Sequence, residues 1–336
     1  MGCSYCYYRH NKADGNNNRM NYETLKSVIS KSIKFNDDCA NFIWHGGEPM
    51  LMGLDYFKDI IKIEKETLGA KNIEIVNCIQ SNGTLINESW CRFFKENNFR
   101  VGLSIDGNYD IHSHGRGTTK EEFKSIENSI KLLKESDNEF SIICVVTDYS
   151  IGKEKEIFQY FINNGINSWA FLPMNYGDIN DCLSPEKYGN FLVNMFNVWI
   201  NSGKEGIKIR EFDEYLRGFL GKDQVLCNHC NVCNCYLTIT PSGDVYPCDA
   251  FPQNNVVKLG NINDNSVAEL KENNNTLFEK SKDKPIFCDN CEFYSICNGG
   301  CRFYRWINSK DFSKEQFYCK SFYMLFKAMS KALSEL

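Results

Sequence analysis

Residues 41–49 read Asn-Phe-Ile-Trp-His-Gly-Gly-Glu-Pro. The first five fit a short strand, Asn41–His45, and the Gly-Gly-Glu-Pro that ends it is turn chemistry with a polar payload. The same unit recurs downstream. Ile73–Gln80 runs into Gln80-Ser81-Asn82-Gly83, and Phe99–Ile105 runs into Ser104-Ile105-Asp106-Gly107. Phe140–Thr147 and Ser168–Pro173 are further strand-like runs. Amphipathic stretches alternate with them: Tyr22–Phe35, Tyr56–Thr67, Glu88–Asn97, Lys120–Lys134, Lys153–Asn163 and Pro185–Ile200. Strand–helix alternation of this kind predicts an α/β fold with a parallel sheet. Ligands bind at the carboxyl ends of such strands, so the three polar motifs are expected to open onto one face.

The last third of the chain reads differently. Tyr236–Thr240, Pro241-Ser242-Gly243-Asp244 and Val245–Pro247 predict a tight β-hairpin, followed by Cys-rich loop with little periodicity. Of 17 Cys, eight fall there in the order C-x5-C-x14-C, then C-x2-C-x5-C-x3-C-x17-C. They are Cys227, Cys233 and Cys248, then Cys288, Cys291, Cys297, Cys301 and Cys319. Eight thiolates meet the ligand demand of two [4Fe–4S] clusters. Cys288-x-x-Cys291 alone would equally suit half a zinc site. Cysteines are too few for a disulfide-dense secreted domain and too many for an ordinary enzyme, and their count is odd. Cys230 and Cys235 are surplus to the eight and read as structural thiols. Cys39, Cys78, Cys91, Cys144 and Cys182 sit in strand, helix or loop patterns and read as small apolar residues.

Net charge is −5, from 38 basic and 43 acidic side chains. Neither a nucleic-acid footprint nor a membrane-binding basic patch is expected. No apolar run approaches the ~20 residues that span a bilayer.

At the other end stands Cys3-Ser4-Tyr5-Cys6-Tyr7-Tyr8. This segment resembles the end of the C-x3-C-x2-C signature of radical S-adenosylmethionine (SAM) enzymes, and Gly46–Pro49 resembles their GGEP motif. The run from Cys227 to Cys319 resembles a SPASM domain, the two-cluster extension of radical enzymes that modify peptides and proteins. Within that group the chain is most similar to anaerobic sulfatase-maturating enzymes. Ile79–Trp90, Val101–His112, Ser141–Thr147, Asp244–Asp249 and Leu259–Ile262 carry the likeness.

The resemblance implies a partial (β/α)6 barrel over residues 1–205, a helical bridge over 206–226, a two-cluster domain over 227–320 and a final helix over 321–336. It also implies three [4Fe–4S] clusters. Cys3 and Cys6 would bind the one that holds SAM, together with a cysteine four positions upstream of Cys3, outside this sequence; the barrel's first strand is expected there too. As written, the chain is then expected to hold that cluster weakly or not at all, with activity reduced to match. Auxiliary cluster I would take Cys227, Cys233, Cys248 and Cys301, and auxiliary cluster II Cys288, Cys291, Cys297 and Cys319. Gly46 and Gly47 would meet the SAM amino group with help from Glu48, and Ser104 and Arg116 its ribose and carboxylate. Adenine would lie near Tyr5 and Leu172. Asp249 would be the catalytic base, and Tyr8 would approach the substrate.

The implied activity is a cytoplasmic radical oxidation of a Cys or Ser side chain to formylglycine in a sulfatase-like protein, with electrons from a donor such as flavodoxin or ferredoxin. His45 departs from the glutamine of sulfatase maturases. A Trp-His pair there is frequent in maturases of ribosomal precursor peptides, which keeps thioether or carbon–carbon crosslinking open as the alternative.

Overall fold

The computed structural model describes residues 1–6, 8, 19–69, 71–175, 181–230, 233, 235–251 and 256–335. Its centre is an open sheet of six parallel strands in sequential order, β1-β2-β3-β4-β5-β6. The strands are β1 Cys39–Trp44, β2 Glu74–Ser81, β3 Arg100–Ser104, β4 Phe140–Val146, β5 Ser168–Pro173 and β6 Lys208–Ile209. The five predicted strands are all present. A sixth that the pattern does not show, β6, extends the far edge, inside the segment that reads as a helical bridge. Two residues carry too little periodicity to announce a strand.

Helices α1 Tyr22–Phe35, α2 Leu54–Leu68, α3 Glu88–Glu96, α4 Tyr109–Arg116, α5 Lys120–Glu135, α6 Glu154–Asn163, α7 Pro185–Ile200 and α8 Arg210–Phe219 accompany the strands. Their starts are set locally. Asn21, Asn87, Thr119 and Ser184 each accept a hydrogen bond from a backbone N–H in the first turn, and Thr119 forms a full capping box with Glu122. Alternation along the strands then sorts the two sheet faces. Ile79, Val101, Leu103, Ile142, Cys144, Val146, Trp169 and Phe171 are buried beneath the helices. The other face is open. There Gln80 pairs with Gly102, Ser104 with Ile143 and Val145 with Leu172, and Leu172 is 38% exposed.

Beyond α8, β7 Thr238–Ile239 and β8 Asp244–Tyr246 form the predicted hairpin, and β9 Gly260–Asn261 adds a third antiparallel strand. Then come α9 Val267–Leu277, α10 Tyr294–Cys297, α11 Arg302–Ser309 and α12 Cys319–Ser334. The region is thus a small antiparallel sheet with short helices, and it has a core of its own. Tyr246, Phe251, Phe278, Phe303 and Trp306 form a separate buried cluster. These rings lie too far apart in sequence to make a periodic signal.

Two fastenings join this region to the sheet. At the β1 edge, Lys31 of α1 donates from Nζ to the carbonyls of Ile262 (2.7 Å), Asn265 (3.0 Å) and Asn263 (3.2 Å). At the opposite edge α12 lies on α7, with Tyr188 against Tyr318 and Phe322. Gly189 permits that approach, because a Cβ there would stand 2.7 Å from the Met324 sulfur.

One buried polar chain crosses the core. Trp44 Nε1 donates to Asn77 Oδ1 (2.7 Å), and Asn77 Nδ2 donates to both oxygens of Glu64. Burial raises the Glu64 carboxyl to about 7, against the pull of Asn77 and Lys65. Between pH 4.5 and about 7 the folded chain thus holds a proton that the unfolded chain has released, so stability falls as pH rises through that window. Glu64→Gln should abolish this slope and gain up to about 3 kcal/mol at neutral pH relative to pH 4. Thermal melts of both proteins across that range would show it; parallel melting curves would contradict it.

Candidate functional site

The site is built at the carboxyl ends of the strands. The Cys3–Cys6 loop is pinned there by backbone and ring contacts. Cys6 N–H donates to Cys3 O, and Ser4 donates from both N (2.8 Å) and Oγ (2.9 Å) to Gly115 O. Tyr5 is 7% exposed and lies on Gly115, where a Cβ would come within 2.7 Å of the ring. Its hydroxyl donates to Asp106 Oδ2, just beyond β3. Arg116 donates to the same carboxylate twice, from Nε and Nη2 at 2.9 Å, and Val145 N–H donates to Oδ1 at 2.9 Å. Burial pushes the Cys3 thiol up and Arg116 pulls it back.

The Arg116 side chain is 7% exposed and held in a bidentate pair with Asp106. The Glu48 carboxylate accepts from Met50 N (3.1 Å), Ser81 Oγ (3.0 Å) and Asn82 N (2.8 Å), locking the loop after β1 to the loop after β2. Burial raises its carboxyl and those three bonds lower it.

The glycines between these anchors are bare. A Cβ on Gly46 or Gly47 would meet nothing within 4 Å, and Gly46 sits at φ +136°. Two stretches of backbone therefore have open space beside them at the strand end. Ser104 Oγ accepts from Gln80 Nε2 at 2.9 Å, on the open sheet face beside Leu172. Gly102 is obligatory under Gln80, since a Cβ would stand 2.0 Å from its Oε1. Tyr8 shares a 2.9 Å hydrogen bond with His45 Nδ1 at the end of β1. Asp106 and Gln80 belong to strand-end motifs of the sequence, but the motifs assign neither a role; their position at the strand ends is the available signal.

The eight cysteines fall into two groups. Burial pushes Cys301 up to about 12, and Cys233 and Cys227 add to it. Burial also raises Cys248, with Asp249, Cys301 and Cys233 adding. Cys227, Cys233, Cys248 and Cys301 thus stand together, with Asp249 beside them. In the second group burial pushes Cys297 up to about 12, and Cys288 and Cys291 add to it. Cys319 is raised by burial, then by Glu315, Cys297 and Cys288. Four gathered thiols in each group fit a [4Fe–4S] cluster, whose irons each take one thiolate. Among the described residues no three His, Cys, Asp or Glu side chains close on a single point as one bare ion requires.

Cys235 joins the first group as a fifth thiol through a hydrogen bond with Cys227. Cys230 donates from Sγ to Leu226 O at 2.6 Å, and burial, Glu214, Cys227 and Cys233 raise its thiol. The hydrogen bond with Cys235 and burial raise the Cys227 thiol, and Arg210, just past β6, partly offsets this; Arg210 also pairs with Glu211, which accepts from Phe171 N–H. Nothing in the sequence pattern singles out Arg210, because β6 is so short.

Comparison with known proteins matches residues 1–161 to the radical SAM superfamily and residues 227–292 to the SPASM iron–sulfur cluster-binding domain. A cysteine-type anaerobic sulfatase-maturating enzyme of Clostridium perfringens is 34% identical, over 97% of this chain and 92% of its own. A serine-type enzyme of Bacteroides thetaiotaomicron is 30% identical, over 97% and 86%. The solved structure of native anSMEcpe with bound AdoMet and Kp18Cys peptide superposes with a TM-score of 0.89 at 30% identity, covering 100% of this chain and 94% of that one.

The grouping of thiols makes a measurable difference. Anaerobic reconstitution should load about eight irons into the two groups, and Cys301→Ala should lose about half of them. The lost iron should be that of the first group, so Cys301→Ala and Cys248→Ala should leave the same low-temperature EPR signal. Matching spectra for Cys301→Ala and Cys291→Ala would reverse the assignment.

Proposed function

The chain belongs to the radical SAM superfamily, in its anaerobic sulfatase-maturating branch, and we propose that it oxidises a cysteine or serine of a sulfatase-type polypeptide to formylglycine. The placement of Asp249 at the first thiol group, on a chain alike from end to end to these maturases, carries the reading.

The residues divide the work as follows. Cys3 and Cys6 supply two thiolates to the SAM-binding cluster, on the loop that Tyr5, Asp106 and Arg116 hold in place. The Gly46–Gly47 backbone receives the SAM amino group, and Glu48 keeps that backbone still. Gln80 and Ser104 offer polar groups to the ribose, and Leu172 an apolar surface to adenine. The four thiolates ending in Cys301 and the four ending in Cys319 hold the auxiliary clusters. When bound, SAM and its cluster supply a hydrogen-abstracting radical, and the auxiliary clusters supply a path for one electron.

The substrate side chain gives up one hydrogen atom from Cβ, one proton and one electron. Asp249 takes the proton. A cysteine thereby becomes a thioaldehyde, which water converts to the aldehyde with loss of hydrogen sulfide; a serine becomes the aldehyde directly. Tyr8, which shares a hydrogen bond with His45, is the residue assigned to meet the substrate. Electrons for the SAM cluster come from a small one-electron donor of the flavodoxin or ferredoxin kind. No described helix is long and apolar enough to cross a membrane, and 17 free thiols suit a reducing cytoplasm.

The test uses the chain extended upstream to supply the first cysteine of the signature. With reductant, SAM and a Cys-x-Pro-x-Arg peptide, the peptide should lose about 18 Da, the exchange of sulfur and two hydrogens for oxygen. Asp249→Asn should cut peptide oxidation by about 10²-fold or more while SAM cleavage to 5′-deoxyadenosine continues. An unchanged peptide beside vigorous SAM cleavage would sink the sulfatase reading, and an undiminished Asp249→Asn variant would sink the base.

A further inference from the structure

Helix α11 begins immediately after Cys301 and carries Arg305 into the wall between the two thiol groups. Arg305 is 1% exposed, among the most deeply buried large side chains of the molecule. Its guanidinium donates only to backbone carbonyls: Nε to Gly299 (2.9 Å), Nη1 to Phe312 (3.2 Å) and Ser281 (3.4 Å), and Nη2 to Asn298 (3.4 Å). The buried Arg116 pairs with Asp106, and Arg210 pairs with Glu211. Among the described residues Arg305 has no carboxylate partner. A second guanidinium, Arg302, stands one turn back on the same buried helix and adds like charge beside it.

A buried cation without a counter-ion is destabilising, and folds tolerate one only where negative charge arrives from elsewhere. Arg305 binds the carbonyls of Asn298 and Gly299, in the loop between Cys297 of the second group and Cys301 of the first, and Cys288, Cys297 and Cys233 act on it electrostatically. The loop is shaped for this placement. Gly299, at φ +76°, has no room for a Cβ, which would stand 2.1 Å from Arg305 Nη2. Gln316 spans the same wall, donating from Nε2 to Cys297 Sγ (3.5 Å) and accepting from Cys301 N–H (3.3 Å).

We infer that Arg305 is the shared counter-charge of the two four-thiolate sites, a positioning residue that holds the reduction potentials of both auxiliary clusters up together. A four-thiolate [4Fe–4S] cluster is anionic, and one unit more so when reduced. A fixed cation in a dry wall favours the reduced form, and one that faces two clusters favours it in both. The inference rests on both groups holding clusters, and not on which peptide is modified.

Redox titration followed by low-temperature EPR tests it, on the anaerobically reconstituted chain and without peptide. Iron and sulfide are counted first; a wild-type chain that takes up no iron would sink the cluster reading itself, separately from this inference. In Arg305→Met, which keeps length and removes charge, both auxiliary midpoints should move to more negative potential. In Arg305→Lys, which keeps the charge and loses the fork of carbonyl bonds, both should stay near wild type. Unmoved midpoints in a fully loaded Arg305→Met chain would overturn the inference, as would movement of one cluster alone. If Arg305→Met fails to load iron, Arg305→Lys decides. Full loading at wild-type potentials upholds the shared charge, whereas failure to load or shifted potentials reduce Arg305 to a loop anchor.

Discussion

The carboxylate of Asp106 is the point on which the amino-terminal half of the site depends. It is 2% exposed and gathers Arg116, the Tyr5 hydroxyl and the Val145 N–H around its two oxygens. The sheet thereby positions a loop that has no regular structure of its own. Removing the guanidinium would leave that carboxylate buried and uncompensated, a loss of about 3–5 kcal/mol. The stranded charge would sit directly beneath Cys3. Fixed loop geometry at a cluster site is thus obtained from a charge pair anchored just past the end of β3.

A second constraint concerns what the cysteine-rich region asks of its ligands. Its aromatic cluster of Phe251, Phe278, Phe303 and Trp306 gives it a core, against which Cys233, Cys248 and Cys301 pack. The thiols are brought together by that core and by the turns around it. Burial holds most of them in the protonated state until something replaces their protons, so assembly of a cluster releases protons and is favoured at higher pH.

Much of this is legible in the sequence. Every one of the five long strands shows an apolar run ended by a turn, and the chemistry-bearing residues sit just past those ends. The eight cysteines, in the order that resembles a two-cluster domain, favour iron–sulfur over zinc. What escapes the sequence does so for physical reasons. Strand β6 and helix α10 are too short for a period to register. The partners of Arg116 and Glu48 are set by tertiary packing, so a motif that marks them as important does not say what they touch. Arg210 and Arg305 each follow another basic residue closely, Lys208 and Arg302, and no pattern sets them apart; their meaning comes from what the fold buries beside them.

The two fastenings of the cysteine-rich region have a kinetic meaning. It is tied at the β1 edge by Lys31 and at the far edge by the seam of α7 and α12, so it spans the open sheet as a strut fixed at both ends. A hinged flap would break one side to admit its client and close again for each turnover. A strut that stays fastened leaves its client only the path the fold already provides. A client threaded along a fixed path would have to be extended and unfolded. Capture would then be governed by how long the client stays unfolded, and this would tie modification to the interval between a client's synthesis and its folding.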